Sequence, residues 1–205
     1  MHLVVIGPGR IGEGLLPVLQ TNSETVTVLS RRDYGDFLAE TFAPEKAVAS
    51  LTACDAVIYC AGLFELNAAE ERMLQANCKA ITQLADAIHV RFPKAHHITF
   101  LDARFDRPLA SQPFAIQSYL KSKQALAVWT LTVAKQWGLE TGARVNAIAP
   151  GPVLPPPDKA HSEKAGTCLT PRPSVKDIVQ ALTFLLQTPS VTGQILYVAA
   201  GQQLL

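Results

Sequence analysis

Two hydrophobic periods take turns along this chain. Leu3-Val4-Val5-Ile6 is a short continuous apolar run bounded by glycine, the pattern of a fully buried strand. Ile11, Leu15, Leu16 and Leu19 then recur at helical spacing. Thr25 to Leu29 (TVTVL) is a β-branched run and predicts a second strand. Tyr34 to Phe42 is a short helix candidate, and Ala47 to Ser50 a minimal strand. Asp55 to Cys60 (DAVIYC) is a buried strand ended by Ala61-Gly62. Asn67 with Glu70 three residues on resembles a capping box. Met73, Ala76, Ala80, Leu84, Ala87 and Ile88 hold helical period from there to Val90, and Pro93 closes the helix. His97 to Leu101 (HITFL) is the next strand, ending at Asp102, and a polar, proline-bearing loop covers Ala103 to Pro113. Ile116 to Trp137 predicts a long helix stopped by Gly138. Ala143 to Ile148 is a strand closed by Pro150-Gly151, Ser174 caps a helix over Val175 to Leu186, and Gln194 to Val198 is a final strand.

Strands alternating with helices argue an α/β fold: a doubly wound parallel sheet of about seven strands with helices on both faces. One domain over residues 1–205 is the expectation, with no internal repeat at a fixed period. The proline-rich stretch at 152–173 reads as a substrate loop rather than a linker, because the last helix and strand are needed to complete the sheet.

Composition narrows the partners. Apolar residues are 48% and charged residues 17% of the 205, with a net charge of +1 and no basic block. Neither a nucleic-acid nor an anionic-membrane partner is expected. No run reaches the about 18 apolar residues of a membrane span. The first strand begins at the N-terminus, which predicts no signal peptide. Cys54, Cys60, Cys78 and Cys168 form no CxxC pair, so reduced thiols and a cytoplasmic location are expected. The five histidines lack metal-ligand spacing, and His96 and His97 are adjacent on a strand and point to opposite faces. No metal site is expected.

Gly7-Pro8-Gly9-Arg10-Ile11-Gly12 sits between the first strand and the first helix, the context that makes a GxGxxG pattern a dinucleotide cradle. Gly7 permits the tight turn, Gly9 lets a pyrophosphate approach the backbone, and Gly12 lets helix pack on strand. Free N–H groups at the helix start face the anion, though Pro8 supplies none. After the second strand come Ser30-Arg31-Arg32, where an acidic residue would hold a ribose 2′-hydroxyl. Arginines there, with Arg10 in the loop, favour a 2′-phosphate and hence NADP(H) over NAD(H). Tyr119 and Lys123 lie at i and i+4 on the long helix, one turn apart on one face. A free tyrosine has a pKa of about 10. A nearby ammonium lowers that value and lets the pair exchange a proton near neutral pH.

Taken together, the glycine loop, Cys60-Ala61-Gly62, Asn77, Tyr119/Lys123, Asn146 through Pro150-Gly151, and Val191-Thr192-Gly193-Gln194 resemble the short-chain dehydrogenase/reductase family across essentially the whole chain. Within it the chain is most similar to the pteridine and dihydropteridine (dihydromonapterin) reductases. Their active-site strand ends in aspartate, as Ile98-Thr99-Phe100-Leu101-Asp102-Ala103 does, with Pro108-Leu109 following. Phe64 matches the phenylalanine that stacks on a pterin, and Arg10 matches an arginine two residues before the last loop glycine. The resemblance implies a Rossmann-like fold and hydride transfer from NADPH to a C=N or C=O carbon. Tyr119, tuned by Lys123, would donate the proton, directly or through Asp102 and water. Lys123 would also hold the nicotinamide ribose, Asn77 a water behind Lys123, and Phe64 the substrate ring. Gly7, Gly9, Arg10, Ile11, Gly12, Ser30, Arg31, Arg32, Cys60, Ala61, Gly62, Lys123, Pro150 and Gly151 would line the cofactor. The resemblance also implies a homodimer or homotetramer.

The chain departs from the family in a shorter glycine loop, abbreviated links around the third strand, and an abbreviated substrate loop. The interval from Asp102 to Tyr119 is longer than usual, so Asp106 competes for the active-site carboxylate. A general NADP-dependent carbonyl reductase or alcohol dehydrogenase, and a non-catalytic NADP-binding sensor, are the alternative readings.

Overall fold

The computed structural model describes residues 1–23, 25–39, 42–154 and 166–205. Among the described residues six strands form one sheet: β1 (His2–Ile6), β2 (Thr25–Leu29), β3 (Ala56–Tyr59), β4 (His96–Phe100), β5 (Arg144–Pro150) and β6 (Ile195–Val198). Every neighbouring pair is parallel, and the order is β2-β1-β3-β4-β5-β6. The apolar runs read as buried strands because both faces are covered. Leu3 and Val5 turn to a core shared with α1 (Gly9–Asn22) and α7 (Val175–Gln187). Val4 and Ile6 turn to the opposite core, shared with α5 (Ala80–Arg91) and α6 (Phe114–Thr141).

The chain leaves β1 for β2 on one side and returns to β3 on the other. A crevice opens outside the strand carboxyl ends at such a reversal, and ligands of doubly wound sheets bind there. It fixes where the site lies.

Local differences from the expected elements have identifiable causes. Among the described residues the sheet has six strands rather than about seven, because Ala47 to Ala49 lie in a short helix, α3 (Pro44–Ala49), capped by Ser50, with Pro44 in its first turn and Ala47 and Val48 buried. Proline is preorganised for a helix start. The helix expected over Tyr34 to Phe42 shrinks to α2 (Arg31–Tyr34), ended by Gly35 at φ 83°. Asn67 caps nothing: it adopts φ 56°, and the next helix, α4 (Glu70–Leu74), starts behind Ala69 with no side-chain cap. Between α4 and α5 the backbone widens into a π-helical turn at Gln75–Lys79. α6 runs through Gly138 and ends before Gly142, whose φ of 76° terminates it. Residues 155–165 of the expected substrate loop lie outside the described residues.

Candidate active site

Two cavities of about 380 Å³ each meet over the carboxyl ends of β1 and β3 and share Gly9, Cys60, Ala61, Gly62 and Leu63. The first also takes in Gly7, Pro8, Ser30, Arg31 and Tyr34, and the second Arg10, Ile11, Asn77, Asp102, Tyr119 and Lys123. One groove therefore joins the glycine turn to the Tyr/Lys face of α6.

At the turn, Gly7 has φ 58° and its N–H donates to the Leu29 carbonyl at 2.8 Å. A Cβ there would stand 2.5 Å from that of Ala61. Gly9 has φ 48°, and nothing lies within 4 Å of where its Cβ would point. The backbone is thus open to close approach by a phosphate, while no acidic side chain occupies the first turn of α1. Gly12 serves packing instead: a Cβ would press on Pro8 and Cys60 at 2.9 and 3.2 Å. These features fit a dinucleotide pyrophosphate.

Beyond β2, Ser30 caps α2. Its N–H and hydroxyl donate to Asp33 Oδ2 at 2.7 and 2.9 Å, and these bonds hold the Asp33 carboxyl below its ordinary pKa. Arg31 lines the first cavity with Tyr34 and Asp36, whereas Arg32 is not among its lining residues. A second lining guanidinium, Arg72, comes from α4 and pairs with Glu65 at 2.8 Å. Sequence spacing gave no hint of Arg72 or Asp36, because only the fold brings them to the strand ends.

At the other end, Lys123 is buried, and its Nζ donates to the Phe100 carbonyl at 2.9 Å. Burial pulls its pKa down to about 8, against the opposing charges of Asp102 and Cys78. The ammonium stands 5.7 Å from the centroid of the Tyr119 ring. The expected lowering of the Tyr119 pKa is overturned: burial, first, and the adjacent Asp102 carboxylate push the phenol well above its ordinary value. The cation acting against that rise is Arg104, not Lys123. Phe64, 57% exposed, meets the Tyr119 ring edge-on with centroids 4.9 Å apart.

Of the two competing carboxylates, Asp102 lines the groove, held by Arg104 through Nε and Nη2 at 2.9 Å each. Asp106 faces away and accepts a hydrogen bond from the Tyr197 hydroxyl. Asn77, fully buried in the π-helical turn, commits the amide expected to hold a water to other partners. Its Oδ1 accepts from Leu63 N–H at 2.6 Å, and its Nδ2 donates to the Leu63 carbonyl at 2.8 Å and to Ser122 Oγ at 3.1 Å. It clamps the segment that carries Phe64. Pro150 and Gly151 form the floor, where a Gly151 Cβ would sit 2.8 Å from Ala199 Cα. Cys60, at the shared wall, is pushed up to about 12 by burial and is no nucleophile. Among the described residues no group of three or more His, Cys, Asp or Glu is placed to hold a metal ion, and all four thiols are free.

A doubly wound parallel sheet, a glycine turn opening on its switch point and a Tyr/Lys pair across the same groove define a nicotinamide-dinucleotide oxidoreductase fold. A family model described as enoyl-(acyl carrier protein) reductase matches residues 43–203, and the chain belongs to the short-chain dehydrogenase/reductase family of oxidoreductases. Carbonyl reductase family member 4 of Danio rerio is 36% identical over 92 residues, 42% of this chain and only 38% of that protein's length. A short-chain dehydrogenase/reductase from Serratia marcescens shares the fold with a TM-score of 0.78 at 20% identity, over 98% of this chain and 97% of its own. So does a 4-hydroxyisoleucine dehydrogenase complexed with NADH and succinate, at TM-score 0.77 and 19% identity, over 98% and 99% of the two chains.

Proposed function

We propose that this protein is an NADPH-dependent reductase of a flat, pteridine-like ring, reducing a C=N or C=O bond. The observation that carries the reading is one groove holding Tyr119, Asp102 and the half-exposed Phe64 ring, continuous with the glycine turn. A bound nicotinamide supplies the hydride. Gly7, Gly9 and the start of α1 would hold the pyrophosphate, Arg31 the 2′-phosphate, and Lys123 the ribose next to the reacting ring. A planar substrate would lie against Phe64, at ring separations normal for aromatic pairs. As the new C–H bond forms, the π pair of the C=N or C=O bond moves onto the heteroatom, which takes the proton of the Tyr119 hydroxyl. Burial and Asp102 keep that phenol protonated above neutral pH, so the proton to be transferred is on Tyr119 when the ring is reduced. Lys123 and solvent return the proton afterwards.

A homodimer or homotetramer is part of the reading, supported by Val90 exposed on α5 and by Val128 and Leu131 exposed on α6. Free thiols support a cytoplasmic location, and the single sheet supports one domain over 1–205. The likeness to a carbonyl reductase favours a second reading, reduction of simple ketones. NADPH oxidation followed at 340 nm against dihydropterins, quinonoid pterins, ketones and quinones, with Tyr119→Phe beside it, separates these. Pterin-dependent oxidation abolished in Tyr119→Phe is expected. Turnover of ketones alone supports the second reading, and turnover of none, with tight NADPH binding, means a sensor.

A further inference from the structure

Arg104 does not line the groove, yet it is tied to it through Asp102. Its backbone N–H and Nε both donate to Asp102 Oδ1 at 2.9 Å, and its Nη2 donates to Oδ2 at 2.9 Å. The pair is mostly covered, with side chains 25% and 14% exposed. A guanidinium fork on two carboxylate oxygens fixes the plane of the carboxylate as well as its position, which an ammonium does not. The turn that carries the pair is anchored in its own right. Phe105 N–H donates to the Asp102 carbonyl at 3.0 Å, and the Phe105 ring stacks on Tyr197 of β6 with centroids 5.9 Å apart. Tyr197 in turn bonds Asp106 on the same turn. The local sequence is thus built to hold one orientation of the Asp102 carboxylate in the groove it lines together with Tyr119.

We propose that Arg104 is a positioning residue for Tyr119: by gripping both oxygens of Asp102 it fixes where the carboxylate charge stands on the groove wall that Asp102 shares with the phenol. An Asp102 free to rotate would move its charge relative to the phenol and to a substrate in the groove, and a misplaced group near the reacting atoms loses large factors in rate. Arg104 also brings the positive charge that partly offsets Asp102 at the phenol. Its action is through Asp102, so removing either member removes the same effect.

The proposal rests on the reductase reading only in its kinetic arm. The full chain is labelled with ¹³Cζ-tyrosine, and the Tyr119 resonance is identified by its loss in Tyr119→Phe. Arg104→Gln and Asp102→Asn should each move that resonance, and the double variant should move it no further than Asp102→Asn alone. Arg104→Lys, which keeps the charge and loses the fork, should give an intermediate shift and serves if Arg104→Gln does not fold. In turnover, Arg104→Gln should lower kcat about ten- to a hundredfold while KM for NADPH stays within about twofold. The kcat losses of the two single variants should not multiply in the double. A Tyr119 resonance unmoved in a folded Arg104 variant, or multiplying losses, overturns the proposal. A wild-type protein that reduces nothing overturns the reductase reading instead, and the resonance arm still decides the role of Arg104.

Discussion

Lys123 carries its ammonium into a buried place, where it donates to the Phe100 carbonyl. Burial is the largest influence there and pulls its pKa to about 8, within reach of ordinary assay conditions. The charged form is what can hold a ribose and keep a proton at hand for Tyr119. Its population is full well below pH 8 and falls away above it. NADPH affinity of the free protein should therefore weaken, and kcat/KM drop, on an alkaline limb near pH 8. Arginine does not deprotonate in this range, so Lys123→Arg should flatten the limb in the binding curve even where its bulk lowers overall affinity. Fluorescence titration of NADPH from pH 6.5 to 9.5 measures both. A limb that survives in Lys123→Arg would assign it to another group. Tyr119 is the opposite case at the same scale: its helical neighbour at i+4 suggested an acidified phenol, but burial and Asp102 outweigh an ammonium that sits over the ring and not at the hydroxyl.

Among elements, the turn from β1 into α1 separates two uses of glycine that a motif treats alike. Gly7 and Gly9 both have positive φ, at 58° and 48°. A left-handed backbone costs an L-residue roughly 1–2 kcal/mol. Gly7→Ala adds a Cβ 2.5 Å from the Ala61 Cβ and 2.8 Å from the Tyr34 hydroxyl. Gly9→Ala adds one that meets nothing within 4 Å, in the groove. Urea unfolding should show Gly7→Ala to be the more destabilised, by more than the backbone cost alone. Gly9→Ala should lose about that cost in stability but lose NADPH binding out of proportion to it. Equal ratios of stability loss to affinity loss in the two variants would show that the space around each Cβ does not matter. The same comparison shows what periodicity can and cannot read. Apolar runs located β1, β3, β4 and the long α6 because each is buried on both faces or along a stripe. Ala47–Ser50 misread as a strand because Pro44 starts a helix whose burial comes from α5, far along the chain. The π-helical turn around Asn77 leaves helical spacing nearly unchanged, so a pattern does not announce it. Asp102 was legible as a strand end, but its partner was not: a pairing at i and i+2 off a strand has no period, and Arg104 emerged only with the turn's geometry.

For the whole molecule, the two buried histidines of β4 couple the centre of the sheet to pH. His96 Nε2 accepts from Asn146 Nδ2 at 2.9 Å, since Asn146 Oδ1 is taken by Gln194 N–H. His97 Nδ1 is hydrogen-bonded to the Tyr59 hydroxyl at 2.9 Å. They reach opposite faces, as alternation on a strand requires. Desolvation, with Arg144 facing His96 and with His89 and His96 acting on His97, lowers each pKa from 6.5 to about 3. The unfolded chain therefore binds protons that the folded chain refuses, between pH 6.5 and about 3. Stability rises with pH wherever the unfolded state holds more protons. The contribution is fully present above pH 6.5 and is lost as pH falls, at up to about 1.4 kcal/mol per pH unit for each histidine. His89 shifts in the same direction and adds to the slope, while Asp33 and Asp177, whose pKa values lie below 3.8, act only at lower pH. Lys123, with a pKa of about 8, contributes only at the top of the window from pH 7.5 to 5, and Asp86, raised by burial, acts in the opposite sense, so the histidines are isolated by comparing the midpoint of chemical unfolding of the wild type with that of a variant lacking them. The wild type should lose stability steeply below pH 6.5. His96→Gln/His97→Gln should start less stable at pH 7.5, because packing and the Tyr59 bond are disturbed, yet decline with a markedly shallower slope. Parallel curves for the two proteins would mean that the central strand is not where acid acts.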